Sequence, residues 1–217
     1  MNSGDVTAAF VRCLENSRCV SSPYRHWLLQ DALPAEVAKE IVSLEWPPAP
    51  LGDTYGKRET HNTDRSHINA ARIAKYPVCA AVAEAFQGGD VVAALEKTCG
   101  VDLTGTSLRI EFCQDREGFW LEPHTDIGAK RFTMLIYLSD APGCEEWGTD
   151  VLDENLELVH RAPAAYNQGV IFIPAHNTWH SFKPRPISGL RRTLMLNYVG
   201  PEWRARHELC FPEQAVA

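Results

Sequence analysis

The chain has 217 residues, of which 45% are hydrophobic and 23% charged, with a formal net charge of −7. That is enough apolar content for one domain with its own core, and it excludes wholesale disorder. The acidic balance and the lack of a long basic run argue against a protein that grips a phosphate backbone. No apolar stretch approaches the roughly 20 residues of a membrane-spanning helix. Residues Met1 to Phe10 show no basic segment followed by an apolar one. The expectation is a cytoplasmic protein with neither nucleic-acid nor membrane partners.

The chain shows no internal repeat. Its seven cysteines (Cys13, Cys19, Cys79, Cys99, Cys113, Cys144 and Cys210) are scattered and form no C-x-x-C pair. They are expected to be reduced thiols, most of them serving as small buried hydrophobes. The first third reads helical. Ser3 or Asp5 is placed to cap a helix through Glu15, and Tyr24 to Gln30 has strand character. Pro34 opens a helix to about Leu44, which the proline-rich stretch after Trp46 stops. Residues 51–69 form a polar segment long enough to serve as a lid or binding loop. Helical patterns follow at 70–86 and 90–99, and Gly100 is a natural stop for the second.

After Gly105 the pattern changes to short β-type runs separated by turn residues. Strands are expected near Ser107–Gln114, Phe132–Leu138, Leu156–His160, Gly169–Ile173, Trp179–Lys183 and Arg191–Val199. Short strands at fairly regular spacing indicate a sandwich or jelly roll. The fold class is therefore α+β, with N-terminal helices packed on one face of the β core.

Three pieces of the β half carry chemistry. His124-Thr125-Asp126 places an imidazole and a carboxylate two residues apart, where extended backbone points them the same way. His180 follows an apolar strand and a Pro174 turn; His176, in the same region, is its rival. Arg191 opens the last strand, and Thr193 falls on the same side; Arg192 is the rival if the register slips by one. Two histidines with one carboxylate suit iron(II), because they occupy one face of an octahedron and leave positions open. An arginine offers a planar, permanently charged fork for a carboxylate. Glu111 and Asn197 lie on strands that could line a pocket.

The order H-x-D, distal His, then G-x-R-x-T resembles the 2-oxoglutarate/iron(II) dioxygenase superfamily, in particular its compact prolyl-hydroxylase-like members. The similarity extends to Arg131–Asp140 and spans roughly 107–199. It implies a double-stranded β-helix of the jelly-roll or cupin-like kind. It also implies iron(II) on His124, Asp126 and His180, with 2-oxoglutarate and dioxygen as co-substrates. Arg191, Thr193 and Tyr137 would hold the distal carboxylate of 2-oxoglutarate. The implied reaction is hydroxylation coupled to release of succinate and carbon dioxide. Asp126 favours this over halogenation, since related halogenases lack that carboxylate. The Gly-Gly common before the third core strand is replaced here by Glu146-Trp147-Gly148-Thr149.

The expected organisation is a single oxygenase domain over 1–217, with helical support and a lid in 1–106, a β core in 107–199 and a tail in 200–217. The expected substrate is a small molecule, an amino acid or biosynthetic intermediate, with peptide hydroxylation also open. The alternatives are a cupin-type isomerase or dioxygenase that does not use 2-oxoglutarate, and a non-catalytic metal-binding or sensing domain.

Overall fold

The computed structural model describes residues 2–48, 56–57 and 65–217. Most of the segment 51–69, expected to be a lid, lies outside the described residues. The N-terminal part contributes α1 (Ser3–Glu15), β1 (Arg18–Val20), β2 (His26–Leu29), α2 (Ala35–Ser43) and β3 (Ser66–His67). Three further helices follow: α3 (Ala70–Lys75), α4 (Pro77–Gln87) and α5 (Gly89–Cys99). The β half holds β4 (Ser107–Asp115), β5 (Leu121–His124), β6 (Lys130–Tyr137) and β7 (Asp150–Leu152). It ends with β8 (Leu158–Arg161), β9 (Gly169–Phe172), β10 (His180–Phe182) and β11 (Arg191–Val199). Among the described residues no single helix is long and apolar enough to cross a membrane.

Two antiparallel sheets form a double-stranded β-helix. The larger runs β1-β2-β9-β6-β11-β4-β3 and the smaller β5-β10-β7-β8. The strand period of two divides the larger sheet into faces of opposite character. Leu108, Ile110 and Phe112 of β4, Phe132, Met134 and Ile136 of β6, and Leu194, Leu196 and Tyr198 of β11 share one core with helix residues such as Phe10, Val82 and Phe86. The alternate residues of the same strands (Arg109, Glu111, Thr133, Leu135, Arg191, Thr193 and Met195 among them) line a cavity on the other face.

Several expectations change. The strand expected in Tyr24–Gln30 is present as β2, but the first third also contributes β1 and β3, so strands from it extend the larger sheet at both edges. The helix expected over 70–86 is two helices. Pro77 disfavours helical backbone at the residue before it, and Tyr76 is extended at φ −121°, ψ 114°. The cap of α1 is Asn2, which forms a reciprocal capping box with Asp5. The run expected as strand from Leu156 starts at Leu158 instead. The Asp153 carboxylate accepts the Asn155 and Glu157 amides at 2.9 Å each and folds a turn there. Strands β5 and β7 went unrecognised, being only four and three residues long. The stretch 200–217, expected as a tail, packs along β4 through Cys210 N–H to Leu108 O and Val216 N–H to Thr106 O.

All seven cysteines are free thiols and six are buried. Burial pushes the thiols of Cys13 and Cys79 up to about 11 and that of Cys99 to about 12, so they stay protonated and inert.

Asn167 joins the N-terminal part to the β core. It is buried, sits in the left-handed region at φ 64°, accepts the Leu33 amide at 3.0 Å and donates to the Leu33 carbonyl at 2.7 Å. Asn167→Ala removes both bonds and a residue suited to positive φ. It should lower unfolding stability by about 2–4 kcal/mol, read as the shift of the urea midpoint.

Candidate active site

His124 closes β5 and His180 opens β10, and the two are direct cross-strand partners. Such partners project side by side from one face, and here the ring centroids are 4.2 Å apart. Each ring is fixed by the backbone two residues before it. Nδ1–H of His124 donates to Glu122 O at 2.8 Å, and that of His180 donates to Thr178 O at 3.0 Å. These bonds select the tautomer that leaves each Nε2 lone pair free for a metal.

Asp126 does not share a strand with His124; it lies in the connection between β5 and β6. Its orientation comes from hydrogen bonds. Lys130 Nζ donates to Oδ1 and the Thr133 hydroxyl to Oδ2, both at 2.6 Å. The ligand atoms of His124, Asp126 and His180 all lie within 4.8 Å of one another. Burial alone would raise the Asp126 pKa. The charges of Lys130 and His180 and the two hydrogen bonds outweigh burial and hold the carboxyl well below the usual carboxylate range. Burial and neighbouring His124 push His180 down to about 4, so it is a neutral donor at pH 7. Two imidazoles and one carboxylate suit a divalent cation with positions left open. His176, the rival to His180, is exposed on the turn before β10 and outside this cluster.

A cavity of about 810 Å³ runs past the triad between the sheets. At one end stands Arg191, only 4% exposed. It faces Asp115 directly across the β11–β4 ladder. Its Nη1 donates to Asp115 at 2.6 Å, its Nε to Trp147 O at 2.8 Å, and its guanidinium lies 4.6 Å above the Phe182 ring. Nη2 takes part in neither hydrogen bond. Arg192 points the other way, toward Asp140 at 3.5 Å near the surface. The Trp147 carbonyl that holds Arg191 precedes Gly148, where a Cβ would sit 1.8 Å from the Ala162 carbonyl oxygen. The substituted Glu146–Thr149 segment therefore still needs its glycine.

Thr193 and Ser181 line the cavity with Arg191, and both hydroxyls are buried with no hydrogen-bond partner among the described residues. Thr193 was expected from its spacing. Ser181 was missed, because its place beside His180 reads only as a strand residue. Tyr137 lies behind the wall: its hydroxyl donates to Thr149 Oγ1 at 2.9 Å and accepts the Thr149 amide at 3.0 Å. Thr149 lines the cavity in its place.

A buried charged network fills the other end. Arg109 is 1% exposed. It donates to Glu208 at 2.6 Å, to Glu111 and His67 at 2.8 Å each, and to Asn197 at 3.3 Å. Asn197 donates to Thr133 Oγ1 at 3.0 Å, and Thr133 holds Asp126, so the network reaches the carboxylate of the triad. Glu111 faces the cavity, whereas Asn197 lies behind it. Asp115 and Arg109 were invisible to the sequence reading, since their partners come from distant strands.

Two outcomes follow from this geometry. Thr133→Val removes one of the two bonds that aim Asp126, and should weaken manganese(II) binding about tenfold by calorimetry. His67 accepts from Arg109 and is pushed by burial and that guanidinium down to about 4. An unfolded histidine titrates near ~6.5, so protons favour the unfolded chain between the two values. Stability should fall as pH drops from about 6.5 toward 4. His67→Gln should make that fall shallower, measured as urea midpoints across the window.

No family model matches the sequence, and no curated protein does. Solved structures match in shape. A Pseudomonas putida prolyl-4-hydroxylase superposes with a TM-score of 0.56 at 13% identity, covering 89% of this chain and 94% of that one. A 2OG-Fe(II) oxygenase family oxidoreductase from Burkholderia pseudomallei gives a TM-score of 0.53 at 14% identity, covering 96% and 94%. A prolyl hydroxylase from Trichoplax adhaerens, in complex with a peptide fragment of the hypoxia inducible factor oxygen degradation domain, gives 0.55 at 13%, covering 94% and 93%. The chain therefore has the double-stranded β-helix fold of the prolyl hydroxylases and 2OG-Fe(II) oxygenases.

Proposed function

We propose that this chain is an iron(II)- and 2-oxoglutarate-dependent oxygenase of the hydroxylase type, acting on a small molecule, and that residues 1–217 work as one domain in the cytoplasm. One observation carries the reading. A two-histidine, one-carboxylate triad stands on a cavity wall that continues to a buried arginine and two hydroxyls with no partner.

His124, Asp126 and His180 would hold iron(II), which when bound supplies the open positions needed to chelate 2-oxoglutarate and to activate dioxygen. The rest falls to side chains of this chain. Arg191, already aimed by Asp115 and the Trp147 carbonyl, would meet the distal carboxylate of 2-oxoglutarate with little loss of rotamer freedom. Thr193 and Ser181 would donate their unpartnered hydroxyls to the same group, giving it donors that water would otherwise supply. Tyr137 acts through Thr149 as a positioning residue. Lys130 and Thr133 keep Asp126 ionised and correctly turned. Leu135, Met195 and Phe182 line the middle of the cavity and limit water there.

A cupin-type metal enzyme has no use for the arginine and the two idle hydroxyls. Peptide hydroxylation is the second reading, raised by the neighbour in complex with a peptide fragment. A cavity near 810 Å³ lies within the range of small-molecule sites, which favours the first.

The test is an anaerobic absorbance titration with iron(II) and then 2-oxoglutarate. A visible charge-transfer band is expected in the unaltered protein and should be absent from His124→Ala. In Arg191→Ala the band should need at least about tenfold more 2-oxoglutarate, with iron binding kept. Iron binding without any band would replace this reading with the cupin-type one.

A further inference from the structure

The end of the cavity opposite Arg191 has its own unmet hydrogen bonds. Arg191 and Asn197 lie six residues apart on β11, which separates the two ends by roughly 20 Å along the strand. Around Arg109, nearly every polar group is spoken for. Both carboxylates are engaged by its guanidinium, Glu111 at 2.8 Å and Glu208 at 2.6 Å, and His67 is a neutral acceptor.

Among the described residues two groups are the exception, and both are donors. Arg65 touches Glu111 only loosely, at 3.8 Å, and its Nε is buried with no acceptor. The indole Nε1 of Trp203 is buried with no acceptor, while its ring lies 5.1 Å from the Arg109 guanidinium carbon. Both residues line the cavity. Buried donors in native proteins rarely go unpaired, so two of them bordering one charged cluster mark the place of an absent acceptor.

We propose that this end is the substrate's recognition site and that it takes a free carboxylate. Resting on the oxygenase reading, this makes the substrate a small carboxylic acid rather than an internal residue of a peptide. The two N–H donors equal in number the oxygens of a planar carboxylate, and among the described residues Arg65 has only the 3.8 Å ion pair with Glu111, which leaves its permanent charge for a ligand. A phosphate group, with three oxygens and up to two charges, would need more donors than these two. Glu111 and Glu208 are not available to bind a cationic group, since Arg109 already holds both.

The test uses protein loaded with zinc(II) and 2-oxoglutarate, to which nothing can be turned over. Ligand-observed NMR compares a panel of free α-amino acids and N-acetylated amino acids with the matching carboxamides. At least one acid is expected to bind about tenfold tighter than its amide. Arg65→Met and Trp203→Phe should each remove that preference; the phenylalanine keeps an aromatic ring under Arg109, so loss of binding there reports the N–H and not collapse of the site. Zinc and 2-oxoglutarate binding, measured on the same samples, is the internal reference. A panel in which no acid outbinds its amide overturns the proposal, as does a preference that survives both substitutions. Failure of the unaltered protein to load 2-oxoglutarate sinks the oxygenase reading instead, and is seen separately.

Discussion

The register of β4, β11 and β6 is the constraint on which the rest of the molecule depends. These three strands are neighbours in the larger sheet, and their period of two sends every other residue to the helices. The remainder face the smaller sheet. Direct pairing then sets polar groups opposite one another: Arg191 against Asp115, Asn197 against Arg109, and Thr193 against Tyr137. A slip of one residue in β11 would drive Arg191 into the helix-facing core and Leu194 into the cavity. The apolar face makes that slip costly. The same burial that holds the sheet to its helices therefore holds the polar groups of the cavity in place.

The two sheets divide the work. The smaller one brings His124 and His180 together as cross-strand partners. The larger one carries Arg191 and Thr193 on β11 and Arg109 and Glu111 on β4, and Ser181 joins the arginine end from β10 of the smaller sheet. Asp126 stands where the sheets connect, and hydrogen bonds reach it from Lys130 and Thr133 of β6. A site built this way rests mostly on strands rather than on loops, which fixes the relative positions of its groups.

Buried charge is the other organising feature. Asp150, fully buried, accepts from Arg161, Arg185 and the Lys183 amide. Arg185 stacks on Phe182 at 4.1 Å, and Arg191 on the same ring at 4.6 Å. The ring thus separates two guanidinium groups, each with its own carboxylate. Such pairs contribute little net stability after desolvation, and breaking one leaves an uncompensated charge in the interior. Their effect here is to fix orientation: Arg191 is held before any ligand arrives.

The sequence by itself determined the fold class and singled out His124, Asp126, His180 and Arg191, which the folded chain brings to one cavity. All four of those residues lie in or beside short β-type runs whose spacing is local: two residues from His124 to Asp126, and strand starts at His180 and Arg191. Local spacing is what a linear reading sees. The tertiary structure alone decided the partners. Asp115 meets Arg191 across 76 positions of sequence. Arg109 joins Glu208 across 99. Ser181 became notable only because the folded cavity leaves its hydroxyl without a bond. Tyr137 was placed one layer too far forward, since nothing local reveals that Thr149 stands between it and the cavity. The missed strands β1, β3, β5 and β7 have two to four residues each, too few for a period to declare itself, and they exist because longer neighbours offer them hydrogen bonds. Backbone preference and side-chain alternation are written along the chain; the register that pairs distant strands, and with it the network around the site, is set only when the sheets close.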